Sequence, residues 1–328
     1  MERKHFASRL GVLGDARVFC WSLYDWANSA YSTLIITVLI AYIQRVVFPV
    51  DRWGTTGAVI WAWGIAASMF FGAILSPILG AVADAQNSKV RWLAITAMTG
   101  SVSSILMGLV PTDHFIIIVV LFVVANLSME LSLGVYNGFL PEISTEENVN
   151  KVSAWGYGLG YIGGGVALVI AMLLMQFGDR MGLTSIQSQL RAGLVLMGTW
   201  WGLFTLPALF VLTDPPKPTG QVTPKVTKLL SSSLADVTQT LRSLRTNVPL
   251  AFFLLSFLFY NDGMQTIISQ ASSFALGELE MPETELMGVI LMIQFVAMPG
   301  SIGFARIADS FGKKRTLLVS LAVWAFTL

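Results

Sequence analysis

From Trp53 to Ala83 the chain runs for 31 residues without a charged side chain. About 20 apolar residues in a helix cross the hydrocarbon core of a bilayer. Further stretches follow the same pattern. Trp92–Thr112, Val152–Gly178, Ala192–Thr213 and Leu286–Ala305 are free of charge. Between their ends, Arg17–Arg45 holds only Asp25, His114–Glu142 only Glu130, and Thr246–Gly277 only Asp262. These segments predict eight transmembrane helices. A ninth apolar stretch opens at Thr316 and reaches Leu328, too short to cross as a helix. The expectation is an all-α integral membrane protein whose sequence is cut within its ninth helix. The first span is too long to be a cleaved leader and is expected to stay in the mature protein.

Composition excludes several alternatives. Only 12% of residues are charged and 55% are hydrophobic, against about 25% charged in a soluble domain. The net charge of +1 gives no field to attract nucleic acid. One cysteine, Cys20, permits no intrachain disulfide, and the histidines, His5 and His114, lie far apart at segment ends. We therefore expect no metal, no cofactor and no nucleic-acid partner. Zincin and serine-hydrolase motifs are absent, which argues against an enzyme.

With the N-terminus on the cytoplasmic side and loops alternating, sixteen lysines and arginines fall inside and four (Arg45, Arg52, Arg180, Arg191) outside. That asymmetry fixes orientation by the positive-inside tendency.

The longest polar stretch, Asp214–Arg245, opens with Pro215, Pro216 and Pro218. Leu229, Leu230, Leu234, Val237, Leu241 and Leu244 then recur at helical spacing, as in an amphipathic helix lying on the membrane face. The reading is a six-helix bundle (1–213), a cytoplasmic linker (214–245) and an incomplete second bundle (246–328). Short motifs recur on both sides of the linker. Asp84 is followed by Lys89 and Arg91, and Asp309 by Gly312, Lys313 and Lys314; Tyr24-Asp25 is matched by Tyr260-Asn261-Asp262. Two duplicated halves are a known transporter arrangement.

Gly80, Asp84 and Lys89 resemble the loop signature between helices two and three of the major facilitator superfamily, with Asn87 at its inner glycine and Ala85 where a basic residue is frequent. The second copy keeps Asp309, Gly312 and Lys314 but has Ala305 for the leading glycine. Tyr24–Tyr31, Tyr136–Glu142, Ser153–Gly165 and Tyr260–Gly263 resemble, more narrowly, the autophagy-related vacuolar amino-acid effluxers and their prokaryotic relatives. The resemblance implies a twelve-helix fold with about eight complete helices and part of a ninth present here. It implies alternating-access transport of a small solute, amino acids first, with protons as candidate coupling ion. The short loops fit a prokaryotic relative in a plasma membrane, working as a monomer; a vacuolar membrane would be its place in a eukaryote.

Three acids lie within spans, where an ionisable group costs about 3 kcal/mol and usually has a task. Asp25 and Asn28, with Ser32, form a polar stripe on the first helix; Asn126, Glu130 and Asn137 share a face of the fourth; Asn261, Asp262 and Gln265 mark the seventh. The resemblance places these three helices around a central cavity, which makes Asp25, Asn28, Asn126, Glu130, Asn137, Asn261, Asp262 and Gln265 the candidate substrate and ion pathway. Gly80, Asp84, Lys89 and Arg91, with Arg306, Asp309, Gly312, Lys313 and Lys314, are the candidate conformational-gate loops. No span interior supplies a lysine or arginine to neutralise the acids, so they are expected either to carry protons or to bind a cationic group. The competing reading is a protonated acid bonded to a neighbouring backbone carbonyl. Gly158, Gly160 and Gly163 fit a dinucleotide pattern, but no strand precedes them. Gly156, Gly160 and Gly164, four apart, instead predict a smooth strip for close helix packing.

Overall fold

A computed structural model describes residues 11–214, 239 and 242–327, so most of the expected amphipathic linker helix lies outside the described residues. No strand occurs among them. Nine principal helices follow in order: α1 (Ala16–Leu34), α2 (Thr56–Gln86), α3 (Lys89–Leu109), α4 (Phe115–Asn137), α5 (Val149–Phe177), α6 (Ile186–Val211), α7 (Val248–Gly277), α8 (Glu283–Phe311) and α9 (Lys313–Thr327). The first seven are long and apolar enough to cross a membrane, and α8 is 29 residues long.

Local chemistry fixes the helix ends. The Asp15 side chain accepts the Arg17 N–H at the start of α1, and Ser185 with Ser188 forms a capping box at the start of α6. Between α2 and α3, Asn87 takes the left-handed conformation (φ 46°), and Gly312 does so between α8 and α9 (φ 87°). The two matched loops thus turn through the same backbone device. Pro77, Pro207 and Pro299 lie inside α2, α6 and α8; a membrane helix can continue through proline where its neighbours satisfy the freed carbonyl.

Two boundaries differ from the charge-based reading. The sixth helix begins at Ile186, not Ala192, and so includes Arg191. Its guanidinium donates to the carbonyls of Gly108 and Leu109, each at 2.6 Å, and so caps the end of α3. A charge next to a span therefore did not mark its end. The first helix does not stay α-helical: π-helical turns over Ile35–Leu39 and Tyr42–Val47 carry it to Val47.

α1 is the most enclosed span and packs on α5 and α6. The expected glycine strip forms one of these contacts. A Cβ on Gly156 would lie 2.8 Å from the Trp21 ring, and one on Gly164 2.5 Å from Thr33 Oγ1. Gly158 faces open space. Phe70, Ile116, Leu203 and Phe210 point outward, Phe210 being 82% exposed. An apolar exterior is what a lipid solvent requires.

Candidate functional site

Asp25 lies midway along α1, turned toward α5. It is only 8% exposed. Gly160 makes room for it: a Cβ there would come within 2.8 Å of Asp25 Oδ2 and 2.7 Å of Ser29 Oγ. Aromatic residues wall the same region. Trp21 stacks on Tyr136 with ring centroids 4.4 Å apart and donates its indole N–H to the Tyr136 carbonyl at 3.1 Å. Tyr24 packs on Tyr136 at 5.1 Å, and Tyr31 on Trp201 of α6, also at 5.1 Å.

Tyr24, Asn28 and Tyr31 follow the i, i+4, i+7 spacing of one helix face, and all three are buried. The Asn28 amide nitrogen lies near Asp25 without a hydrogen bond of good geometry, and the Tyr31 hydroxyl has no partner. Tyr24 lies beside Ser132 and Trp201, but its hydroxyl finds no partner of good geometry. Buried polar groups are normally satisfied, so a cluster of unmet donors is a feature requiring explanation. Ser32, the outer member of the predicted stripe, is exposed.

On α4, Asn126 is buried, Glu130 half-buried and Asn137 exposed at the helix end. Glu130 falls near the middle of the span Phe115–Ile143 and lies against α2, where a Cβ on Gly72 would sit 3.4 Å from its Cβ. Asn261, Asp262 and Gln265, at mid-length of α7, are all exposed. The structure groups the Asp25 stripe with the aromatics and places Glu130 on the neighbouring face; it does not bring the α7 residues into contact with either. Among the described residues no ion pair reaches Asp25, Glu130 or Asp262. The tyrosines, Trp201 and Gly160 were not among the sequence-predicted site residues, although the 24/28/31 spacing could have found Tyr24 and Tyr31.

The gate-loop residues assemble differently. Lys89 Nζ pairs with Asp84 at 3.0 Å and Glu142 at 2.6 Å, and donates to the Gly138 carbonyl at 3.2 Å. All of these partners lie in the first half of the chain, before α5. The missed member is Glu142, which follows α4 on the one-turn helix Leu140–Ile143. Asp214 joins from the end of α6, accepting the Val90 N–H at 3.2 Å. Burial pushes its carboxyl above the ordinary carboxylate range, and the Val90 and Lys89 amides pull it back. Gly80 and Arg91 are free of close packing, Arg91 being exposed. In the second copy Lys314 is exposed, while the side chains of Arg306, Asp309 and Lys313 lie outside the described residues.

The sequence profile of the vacuole effluxer Atg22-like family matches residues 44–328. The chain belongs to that family. It is 28% identical to the uncharacterized MFS-type transporter YxiO of Bacillus subtilis, over 93% of this chain and 70% of that protein. It is 22% identical to autophagy-related protein 22 of Kluyveromyces lactis and 24% to that of Botryotinia fuckeliana, over 76% of this chain in each case. The chain spans about half the length of these fungal relatives, 54% and 52%. This Atg22-like protein is thus a multi-pass membrane protein of a transporter family, with the major facilitator type of fold, and is not an enzyme.

Proposed function

We propose that this Atg22-like protein moves amino acids across a membrane by alternating access, with proton coupling through its interior carboxylates. The observation that carries this reading is the pairing of opposites at Asp25: a carboxylate 8% exposed, inside a lipid-facing bundle, with no cationic partner among the described residues. Such a group is stable there if it binds a proton or a cation for part of a cycle. An amino acid brings an α-ammonium for a carboxylate and a carboxylate for donors such as the Asn28 amide and the Tyr31 hydroxyl. Glu130 supplies a second acid, and Asp262 a third from the facing half. Support from relatives is the description of the family as vacuole effluxers.

Within this reading residues 1–213 form one six-helix repeat and residues 246–328 belong to a second, joined by a cytoplasmic linker, with the N-terminus and the Lys89 cluster cytoplasmic. The sixteen-to-four distribution of lysine and arginine supports that orientation. The gate loops would clamp and release the cytoplasmic side, and the protein would work as a monomer in a prokaryotic plasma membrane. The second reading is transport of an organic cation, which the same carboxylates also fit. Thermal stabilisation of the detergent-purified full-length protein by amino acids, peptides, sugars and polyamines separates them. Stabilisation by amino acids and not polyamines supports the first reading, and the reverse supports the second. Stabilisation by none of them argues for a scaffold.

A further inference from the structure

At the end of the bundle opposite Lys89, the first two helices are tied to the corner between α7 and α8. Arg45 Nε pairs with Glu283 Oε1 at 2.8 Å, and Arg45 Nη2 donates to the Met281 carbonyl at 3.2 Å. Gln44 Nε2 donates to Ser273 Oγ at 2.7 Å, and Trp61 Nε1 to the Ser269 carbonyl at 3.1 Å. These partners are 208 to 238 positions apart in the chain. Among the described residues, the hydrogen bonds from α1 and α2 to α7 all fall in its last third. Gln44, Trp61, Ala275, Leu276, Leu286 and Met287 are buried around them. The opposite end of α7 is not covered in this way: Val248, Phe252 and Phe253 are 55–66% exposed.

The backbone that delivers Gln44 and Arg45 is itself unusual. Tyr42–Val47 is π-helical and follows a first π segment at Ile35–Leu39. A π turn holds more residues than an α turn, so its i→i+5 bonding resets which way later side chains face. Such turns are rare and concentrate at functional places. Neither proline nor glycine lies between Ile35 and Val47 to force one. The ion pair is also easy to release, since the Arg45 side chain is 40% exposed.

We propose that the π-wound end of α1 is a latch: Gln44 and Arg45, presented by the π turns, hold Ser273 and Glu283 and shut the central path on that side, and rewinding of 35–47 toward α-helix withdraws them and opens it. The inference rests on the alternating-access reading above.

The test uses the full-length protein with Cys20→Ser, reconstituted in liposomes, and a reporter cysteine at Ser32, an exposed α1 position between the latch and the acids. A membrane-impermeant maleimide is applied from the Arg45 side. Arg45→Gln and Glu283→Gln should each raise the labelling rate several-fold, and the exchange Arg45→Glu with Glu283→Arg should return it toward the parent. Separately, Gln44→Cys with Ser273→Cys should cross-link under mild oxidation and abolish labelling at 32 until reduced. Unchanged labelling in both single variants, or a cross-linked protein that labels as fast as the reduced one, overturns the latch. Amino-acid exchange, measured in separate liposomes that hold the unlabelled Cys20→Ser protein with Ser32 intact, keeps the two ideas apart. Labelling that responds as stated without any exchange upholds the latch and sinks the transport reading; exchange with unresponsive labelling does the opposite.

Discussion

Gly160 of α5 sits directly against the carboxylate of Asp25 on α1, so close that a Cβ would stand 2.8 Å from Oδ2. A side chain there must turn aside the Ser29 hydroxyl, 2.7 Å away, and the Asp25 carboxylate. Gly156 and Gly164 press on the same helix one turn to each side. The packing strip and the acid are therefore one construction: the glycines let α1 and α5 approach, and the approach buries the charge.

Gly160→Ala should thus lower the thermal stability of the protein in detergent by about 1 kcal/mol, the low end of the overpacking range, because the groups it meets are side-chain ends that can turn aside. Gly158→Ala should not destabilise, because nothing lies within 4 Å of a Cβ there. Melting curves of the two variants check the pair.

Lys89 joins three elements through Asp84, Glu142 and the Gly138 carbonyl. Lys89→Met should cost about 1–3 kcal/mol of stability, the range for removing a charged hydrogen-bond partner from a half-buried site. Lys89→Glu combined with Glu142→Lys should recover part of the loss. Asp84 matters less to that balance, since its side chain is 65% exposed. Denaturation midpoints of the single and double variants measure the coupling.

Arg191 holds the last carbonyls of α3 with two donors. Arg191→Lys should recover less than half of what Arg191→Ala loses, about 1–2 kcal/mol, because an ammonium lacks the planar fork that reaches both oxygens. Comparison of the melting temperatures of the two variants tests this.

The spans, the paired loops and the glycine strip were legible in sequence for a common reason. Each depends on a residue type whose meaning hardly changes with context: a long run without charge, a left-handed Asn87 or Gly312, a small residue every fourth position. Arg191 misled because charge was read as a boundary, whereas it bonds the carbonyls at the end of α3. The π turns after Leu34 were invisible, since Ile35–Val47 carries neither proline nor glycine and reads as ordinary apolar helix. The acids were legible but their surroundings were not. Which face of α1 meets Tyr136, Gly160 and Trp201 is decided by packing among helices far apart in the chain.

Asp25 and Glu130 carry the central claim, and solute exchange across a sealed membrane tests it most directly. The full-length protein is reconstituted in proteoliposomes loaded with unlabelled amino acids, and entry of radiolabelled amino acid is followed between pH 5 and 8. The account predicts counterflow by the wild type, about a tenfold or greater loss in Asp25→Asn and in Glu130→Gln (some 1.4 kcal/mol or more), and a flattened pH profile in whichever variant still moves solute. Wild-type rates and unchanged pH dependence in both variants would contradict it.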